Sequence, residues 1–424
     1  MSWSSGNLRQ RVVITGLGVV SPVGIGKDAF WDAVVQGRSG IDWIEGFDTS
    51  DLYCRIAGQV RDFDPAQYMD AKEAKRAGRF SHFAVAAARL ALADADIQLN
   101  GLDPYQAGAV FGTSLAGNGN VADEMYKQFA AEGPRHIEVT SGTQLAAHAA
   151  TSHVFIQLGF KGPNSTVSAG CVAGLEAINN AANILRSGQA QVMIAGGTEA
   201  CISTIGMSLL CKLGVLTRHN KRPAAASRPF DYTRAGLVLS EGAGAAVMET
   251  AEHAIERDAP IYAEVCGYSS ATEAHHLVIA DPSGKELAHA FRTALRCSKV
   301  NGQEIDYVCA HGIGNREYDI AETQAIKMVL GPRAYSIPVS SIKSTTGQSF
   351  GAGATWQLVS SCMTLATGVV PPTINYRVPD PNCDLDYVPN QARQARVNGI
   401  MLDSHSFGGT HGSLIVRRFN GARG

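Results

Sequence analysis

The sequence predicts a layered α/β protein with mainly buried strands. Two observations carry this prediction. Short runs of β-branched and other apolar residues alternate along the chain with Ala- and Leu-rich stretches of helical length, and the second half repeats the layout of the first. Strands that are buried on both faces need helices above and below them, so a layered architecture is expected.

The elements of the first half follow in order. A β-branched run at 12–15, which ends in Gly-Leu-Gly, is typical of a buried strand that leaves through a tight turn. Further strands are expected at 107–111 and 192–195, where apolar runs end in glycine. Helices are expected at 83–95 and 172–185, where small and apolar residues dominate.

The second half has the same kinds of element. Strands are predicted at 261–266, 307–310, 400–402 and 413–416, and a helix is predicted at 285–295. A glycine-rich loop separates the last two strands.

The halves are joined by a charged stretch at 251–260, which ends in proline and is the predicted linker. We therefore divide the chain into an N-terminal half at 11–258 and a C-terminal half at 259–420. A polar loop is expected at 341–348, after another strand of the second half.

Composition and charge exclude several classes of protein. Of the 424 residues, 45% are hydrophobic and 17% are charged, which is an ordinary globular composition. The net charge of −2 argues against broad nucleic-acid binding. The chain has no apolar run of about 18 residues that could span a bilayer, and its polar start lacks the apolar stretch of a signal peptide. Nine cysteines without a C-x-x-C pair favour a reducing compartment, so a cytoplasmic protein is expected.

One cysteine has the sequence context of a nucleophile. Residues 165–173 read S-T-V-S-A-G-C-V-A, so that a short β-branched stretch leads through small residues to Cys171 and then to a helical pattern. A thiol at a strand-to-helix turn lies near a helix N-terminus, where the dipole favours thiolate and backbone N–H groups can stabilise an oxyanion. An isolated cysteine is more often a buried, inert residue, which is the interpretation for Cys201, Cys211 and Cys309.

Other polar segments support the nucleophile interpretation. His311 ends the predicted strand at 307–310, and a Cys/His pair supplies a nucleophile with a proton-handling partner. Sequence spacing alone leaves open whether the two side chains meet. The loop S-F-G-G-T at 406–410 carries a single aromatic residue among small ones.

Several blocks in a fixed order carry a resemblance to a known family. They are R-V-V-I-T-G-L-G-V-V-S-P-V-G (11–24), the cysteine turn, I-A-G-G-T-E-A (194–200), S-R-P-F-D-Y-T-R-A-G-L-V-L-S-E-G-A-G (227–244), A-H-G-I-G-N-R-E-Y-D-I-A-E-T (310–323), S-I-K-S-T-T-G-Q (341–348) and S-F-G-G-T-H-G-S-L (406–414). Through them the chain resembles the bacterial β-ketoacyl-ACP synthase II family and the type II polyketide ketosynthases over nearly its whole length. The resemblance implies a thiolase-like fold, with duplicated α-β-α-β-α layered halves, built as a dimer.

The resemblance also implies the roles of the catalytic residues. Cys171 would accept the acyl group from acyl carrier protein, and its N–H and that of Phe407 would form the oxyanion hole. Phe407 would also gate the acyl pocket. His311 would hydrogen-bond the extender thioester and stabilise the enolate left by decarboxylation, while Lys343 and Glu322 would form a supporting ion pair.

The resemblance further implies substrate contacts. Leu115 falls where the family sets the depth of the acyl tunnel, although plain core packing is an equally good interpretation. Gly408 and Gly409 belong to the gating loop, and His276 lies in a loop that resembles a second gate with Glu273. No metal or cofactor is implied beyond the phosphopantetheine arm that acyl carrier protein delivers.

The chain departs from the family pattern around the extender. Gln348 stands where a second histidine is usual; its amide can donate a hydrogen bond but cannot carry a proton. Ile313 and Asn315 replace threonines that usually contact the pantetheine arm. Ser406 replaces a glycine of the gating loop, which should reduce backbone freedom, and His405 and His411 are also unusual. We interpret these changes as a retuned extender side beside an intact acylation side.

Basic residues form two local groups on an otherwise acidic chain. They are predicted to dock acyl carrier protein, which is acidic, although charge runs are often only solvated faces. The first group is Lys72, Lys75, Arg76 and Arg79, and the second is Arg218, Lys221 and Arg222.

The leading hypothesis is therefore a decarboxylating condensing enzyme of fatty acid or type II polyketide biosynthesis. A non-decarboxylating acyltransferase that uses Cys171 is a second hypothesis, motivated by Gln348. A third is a non-elongating chain-length partner subunit, against which the retained Cys171 and His311 count. The dimer is expected to be either a homodimer or a heterodimer of ketosynthase and chain-length factor.

Overall fold

The structure is a computed structural model and describes residues 11–421. Its strands are β1 (Val12–Ser21), β2 (Gly24–Ile25), β3 (Asp42–Trp43), β4 (Ile56–Ala57), β5 (Ala107–Thr113), β6 (Asn164–Ser168), β7 (Val192–Glu199), β8 (Gly242–Thr250), β9 (Ala263–Thr272), β10 (Tyr307–Cys309), β11 (Val339–Ser340), β12 (Val369–Val370), β13 (Arg393–Gln394), β14 (Gly399–His405) and β15 (Thr410–Arg417).

Helices of very different length connect these strands. They are α1 (Lys27–Val35), α2 (Ala71–Ala74), α3 (Arg79–Asp94), α4 (Asn120–Glu132), α5 (Ser141–Leu145), α6 (Ala149–Leu158), α7 (Ala173–Arg186), α8 (Thr204–Leu213), α9 (Ala251–Glu256), α10 (Lys285–Ser298), α11 (Arg316–Leu330), α12 (Lys343–Thr346) and α13 (Gly351–Thr367). Among the described residues, none of these helices is long and apolar enough to cross a membrane.

The large sheet is built from two equivalent runs of strands. Its order is β11-β10-β14-β15-β9-β1-β8-β7-β5-β6, with β2 paired to β1. In each half the run has five strands, counted along the chain. The first strand pairs antiparallel with the fifth, and the fifth pairs antiparallel with the fourth. The fourth then pairs parallel with the second, and the second pairs parallel with the third. The halves therefore share the same order and orientation, and antiparallel pairing of β1 with β9 joins them.

Helices lie on both sides of each run and between the two runs. Helices α3 and α6 cover the outer face of the first run, and α10 and α11 cover the second. The middle layer is α7 and α13, which pack against each other and against strands of both runs. The predicted layered α/β fold, with duplicated α-β-α-β-α halves, is confirmed.

Most predicted elements are present with shifted ends. The strand expected at 261–266 runs over 263–272, and the helix expected at 83–95 begins at 79. The predicted linker is wrong in one respect: it contains α9, in which Ala251 and Ala254 pack against Val13. The boundary at residue 258 lies between β8 and β9 and stays a prediction.

Two central elements have no clear pattern in the sequence. Strand β8 and helix α13 are rich in glycine, alanine, serine and threonine, which have weak strand and helix preferences. The two elements need small residues because their backbones pack closely against each other. For example, a Cβ at Gly244 of β8 would lie 2.5 Å from Thr355 Oγ1 of α13. Helix α13 can therefore be buried along nearly its whole length.

Candidate active site

Cys171 lies where β6 turns into α7, as the sequence predicts. Strand β6 ends at Ser168, a 3₁₀ turn covers Gly170–Val172, and α7 begins at Ala173. The turn needs Gly170, whose φ of +59° is in the left-handed region. The arrangement buries the thiol at the N-terminal end of the helix, among the side chains of an apolar cluster.

The thiol is hydrogen-bonded by the residue that departs from the family pattern. Gln348 Nε2 donates to Cys171 Sγ at 3.1 Å, so the glutamine reaches the predicted nucleophile. Burial raises the pKa of the Cys171 thiol to about 12, while Lys343 and the Gln348 amide act in the opposite direction. The Cys171 side chain is therefore a neutral thiol at neutral pH.

Two serines of β14 and the loop after it hold the peptide groups of Cys171. Ser404 Oγ donates to the Cys171 carbonyl at 2.8 Å, and the Cys171 N–H donates to Ser406 Oγ at 3.3 Å. Residues two apart on an extended chain point to the same side, which brings both hydroxyls to the nucleophile.

His311 follows β10 and is buried beside Cys171. Its Nδ1 lies 3.4 Å from Ser404 Oγ. Because the single hydroxyl proton of Ser404 is donated to Cys171, Nδ1 carries the hydrogen of this contact and Nε2 is unprotonated. Nε2 has no partner among the described residues. Burial, followed by the charge of Lys343, lowers the pKa of His311 well below its usual value, so the ring is neutral.

Lys343 and Glu322 hold the main chain of the histidine instead of each other. Lys343 Nζ donates to the His311 carbonyl at 2.8 Å and to Gln357 Oε1 at 2.9 Å. Glu322 accepts the N–H of His311 at 2.6 Å. In the described part of the chain, Lys343 and Glu322 make no direct salt bridge, because each group binds a different end of the same backbone segment, but their charges still attract each other. The supporting role of the pair stays a prediction.

A second histidine packs on the first. The rings of His311 and His405 are stacked, with centroids 4.9 Å apart and planes 17° apart. His405 Nε2 lies 2.8 Å from Asp403 Oδ2. Burial lowers the pKa of His405 to about 3 and raises that of Asp403 to about 7. His405 therefore stays neutral and fixes the plane of the His311 ring.

The same buried cluster has the atoms of a cation site. Ligand atoms of Glu322, Asp403 and His405 lie within 4.8 Å of one another. Both carboxylate oxygens of Glu322 already accept backbone N–H groups, from His311 and Gly312. The charge of Lys343 acts on the same carboxylates, so the cluster is balanced by residues of the chain.

The acyl side of the site is apolar. Leu115 and Phe407 pack in the same cluster as Cys171, together with Ile202 and Phe350. Phe407 is also in edge contact with Tyr318, at 5.8 Å between centroids. Leu115 and Cys171 thus belong to one apolar cluster, and the role of Leu115 in setting the depth of an acyl tunnel stays a prediction.

Glu199 is a site residue that the motif analysis left unassigned. Its carboxylate accepts the N–H groups of Ser114 at 2.8 Å, of Leu115 and Ala116 at 3.0 Å, and of Gly351 at 3.3 Å. Burial raises the pKa of Glu199 to about 7, while the N–H groups of Ser114, Leu115 and Gly351 and the Thr113 hydroxyl act in the opposite direction. In the sequence, the one indication of its importance is its place in the I-A-G-G-T-E-A block, and that block indicates no role for it.

The predicted extender-side residues lie in tight turns. Ile313 is buried, and its N–H donates to Asp319 Oδ1 at 3.2 Å. Asn315 caps helix α11, since its Oδ1 accepts the N–H groups of Glu317 and Tyr318 at 3.1 and 3.4 Å. The capping leaves only the amide nitrogen of Asn315 for a ligand.

The two predicted gates touch each other. The Gly408 N–H donates to the Leu277 carbonyl at 2.7 Å, and the Glu273 N–H donates to the Gly409 carbonyl at 2.9 Å. His411 Nε2 lies 3.0 Å from Glu273 Oε1. His276 itself is exposed and accepts N–H groups of its own loop, which keeps it outside the buried site.

The basic groups are exposed with one exception. Lys72, Lys75 and Arg76 lie on or next to α2, and the second group, Arg218, Lys221 and Arg222, is exposed as well. Arg79 is different, because its guanidinium donates to the buried Glu241 at 2.7 Å. Arg79 is therefore engaged within the fold and is not a free docking charge.

Comparison with known proteins shows the family to which the chain belongs. The chain matches the model of the β-ketoacyl synthase N-terminal domain over residues 9–254 and that of the C-terminal domain over residues 262–377. The chain belongs to the β-ketoacyl synthase family. It is a condensing enzyme of the acyltransferase class with the thiolase fold.

Relatives of two kinds are similar over their full length. The 3-oxoacyl-[acyl-carrier-protein] synthase 2 of Synechocystis is 39% identical over 97% of this chain and 99% of its own. The granaticin polyketide putative beta-ketoacyl synthase 1 of Streptomyces violaceoruber is 39% identical with the same coverage of both chains.

Solved ketosynthases have the same fold. One is a type II polyketide synthase ketosynthase, bound to the hexaketide, in complex with its acyl carrier protein; it matches with a TM-score of 0.90 and 32% identity over 96% of this chain and 99% of its own. The ishigamide ketosynthase/chain length factor matches with a TM-score of 0.90 and 32% identity over 97% of this chain and 99% of its own.

Proposed function

We propose that this condensing enzyme elongates acyl chains carried by acyl carrier protein, with Cys171 as nucleophile and His311 and Gln348 as the decarboxylating pair. One observation carries the proposal: the Gln348 amide donates to Cys171 Sγ, beside a buried His311 whose Nε2 has no partner. Gln348 contacts the Cys171 sulfur directly, and His311 is connected to Cys171 through the Ser404 hydroxyl.

The first step is acyl transfer. Cys171 sulfur attacks the thioester carbonyl, and its electron pair forms the new C–S bond while the carbonyl oxygen becomes an oxyanion. The intermediate collapses, the bond to the carrier sulfur breaks, and the carrier thiolate leaves. The proton that Cys171 loses is taken by His311 Nε2, which is unprotonated at rest, and ends on the carrier thiol, so no net proton is consumed.

The second step is decarboxylation of a malonyl-type extender. The C–C bond to the carboxylate breaks, its electron pair forms an enolate, and carbon dioxide leaves. Acylation makes the Cys171 sulfur a poorer acceptor, which frees Gln348 Nε2 to donate to the enolate oxygen. His311 donates through Nε2 in its other tautomer, with the Ser404 hydroxyl turned to Nδ1. The enolate carbon then attacks the acyl carbonyl, and the C–S bond to Cys171 breaks. The expelled thiolate takes up one proton from water, which restores the neutral thiol.

A non-decarboxylating acyltransferase is a second candidate. The observation that favours it is that Gln348 replaces one of two proton-bearing groups, while the acyl side around Leu115 and Phe407 is complete. In that case the acyl group of Cys171 would pass to another nucleophile without release of carbon dioxide.

The carrier protein and a second subunit are the proposed partners. The basic groups around Lys75 and Lys221 are exposed charges suited to an acidic carrier, whose phosphopantetheine arm would enter between the two gates. Strand β6 is the outermost strand of its run and is only partly covered. Such an edge pairs readily with another strand, so we place the interface there, with a second copy or a chain-length factor.

The proposed compartment is the cytoplasm. All nine cysteines are free thiols, which suits the cytoplasm.

The test uses the full chain with a panel of acyl carrier protein thioesters, with and without malonyl carrier protein. Acylation of Cys171, followed by carbon dioxide release and a ketoacyl product longer by two carbons, is the expected result by intact mass. Acylation without carbon dioxide release would favour the second candidate. Absence of acylation with every thioester would refute the nucleophile assignment.

A further inference from the structure

The hydrogen bonds of the resting nucleophile leave no free donor at its amide. The Cys171 N–H, which the proposed acyl transfer needs for the oxyanion, already donates to Ser406 Oγ at 3.3 Å. The Cys171 carbonyl and sulfur also have partners, Ser404 and Gln348. A thioester oxygen arriving at this amide must therefore replace a hydroxyl.

The position of this hydroxyl is fixed by the surrounding chain. The Ser406 N–H donates to the Thr410 carbonyl at 2.8 Å, and the Gly409 N–H donates to the Ser406 carbonyl at 3.1 Å, which closes the turn between β14 and β15. The hydroxyl rests against the turn of the nucleophile, since a Cβ at Gly170 would lie 1.9 Å from Ser406 Oγ. Ser406 is buried, so water does not compete for this bond.

We infer that Ser406 is a gate residue for the nucleophile: its hydroxyl occupies the oxyanion position of resting Cys171 and must move away before a thioester oxygen can take that position. The inference rests on the proposed acyl transfer. A hydroxyl accepts the N–H in place of the oxyanion, so it stabilises the resting enzyme and not the transition state, which slows acylation. The loop around Ser406 is hydrogen-bonded to the second gate, from the Gly408 N–H to the Leu277 carbonyl. Opening of that gate would therefore move the Ser406 hydroxyl.

Two substitutions separate the hydroxyl from the backbone. Ser406→Ala removes the hydroxyl and keeps Cβ, whereas Ser406→Gly also restores backbone freedom. We expect both to accelerate acylation by an acyl carrier protein thioester, by about three- to tenfold, the equivalent of one net hydrogen bond. Faster acylation in Ser406→Gly but not in Ser406→Ala would mean that backbone flexibility, and not the hydroxyl, limits acylation. That result would overturn the inference.

Iodoacetamide provides the matched control. Its alkylation of Cys171 uses the same thiol but forms no oxyanion, so its rate should be the same in the wild type and both variants. An equal acceleration of alkylation would show that the substitutions only uncover the thiol, which contradicts the inference. Intact mass reports acylation, and peptide mapping reports alkylation at Cys171, because the exposed Cys297 also reacts with iodoacetamide. Thermal unfolding verifies that each variant is folded.

The remaining outcomes are also decisive. Slower acylation in Ser406→Ala would make the hydroxyl a donor to the oxyanion and not an obstacle to it, which would overturn the inference while the proposed function stands. If iodoacetamide labels Cys171 but no thioester acylates the wild type or either variant, the proposed function itself fails.

Discussion

The ends of β6 and β11 occupy equivalent places, since each is the third strand of its half. They differ in how completely their polar groups are paired. After β6, the N–H, carbonyl and sulfur of Cys171 all have hydrogen-bond partners. After β11, Thr345 Oγ1, Gln348 Oε1 and Ser349 Oγ are buried without partners in the described part of the chain.

Buried polar atoms without partners are rare in folded proteins and often mark a place where a ligand binds. The comparison therefore suggests a division of labour. In the proposed mechanism, the acyl donor displaces hydrogen bonds that are complete at the end of β6, whereas the extender supplies partners that are missing at the end of β11. The proposed nucleophile thus has paired polar groups at rest, and the proposed decarboxylation site has unpaired ones among the described residues.

The largest effect is expected at the end of β6. Cys171→Ala should reduce acylation by every thioester to background, because no second thiol lies in the turn. Cys297→Ala, which removes an exposed thiol, is the matched control and should acylate normally. Intact mass after incubation with acyl carrier protein thioester measures both. Acylation that persists in Cys171→Ala would place the nucleophile elsewhere and break the comparison.

A large effect restricted to one step is expected at Gln348. Gln348→Ala removes the donor to the enolate, so carbon dioxide release from malonyl carrier protein should fall by about 10²–10³. Acylation of Cys171 should fall by less than about tenfold, since only one hydrogen bond to sulfur is lost.

Single-turnover carbon dioxide release and intact mass separate the two steps. Gln348→His, which restores an imidazole, should retain carbon dioxide release. Equal losses in both steps for Gln348→Ala would show that the two strand ends do not divide the chemistry.

The two ends should also respond differently to pH. Because burial raises the pKa of Cys171 to about 12, the thiolate fraction rises about tenfold per pH unit through the neutral range, and alkylation by iodoacetamide should follow it. The rate of decarboxylation by preformed acyl-enzyme should change by no more than about a factor of two between pH 6 and pH 9. The reason is that the pKa of His311 is lowered out of this range and that glutamine does not titrate. A rise in decarboxylation that parallels alkylation would contradict the assignment.

The smallest expected effect is on stability. Glu199 ties the turn after β5 to the start of α13 through four backbone N–H groups. Glu199→Gln keeps one acceptor oxygen but places an NH₂ group against donors, which should cost about 1–3 kcal/mol in the free energy of unfolding. Urea unfolding measures it, with Glu256→Gln on the exposed face of α9 as the control. An unchanged midpoint would mean that the two segments are held by packing alone.

The sequence predicted the fold better than it predicted the contacts. Periodic apolar runs located β1, β5, β7 and α7, because burial on both faces leaves a strong pattern. Strand β8 and helix α13 were missed, since close packing there selects small residues that favour neither conformation.

The sequence located candidate site residues where a motif contains them. It did not predict their hydrogen-bond partners, which depend on the three-dimensional fold. The turn of Cys171 was evident from small residues before a helical pattern. The partners of Lys343 and Arg79 were not, because each binds a group more than 30 positions away or on another element. The roles of His405 and Ser406 follow only from their contacts with His311 and Cys171.

The most direct test of the account is carbon dioxide release by the acylated protein. The full chain, acylated at Cys171 and freed of excess donor, is mixed with labelled malonyl carrier protein, and labelled carbon dioxide and ketoacyl product are counted in one turnover. The account predicts one carbon dioxide and one product for each acyl group, with glutamine in place of the second histidine. An acyl-enzyme that persists without releasing carbon dioxide would contradict it.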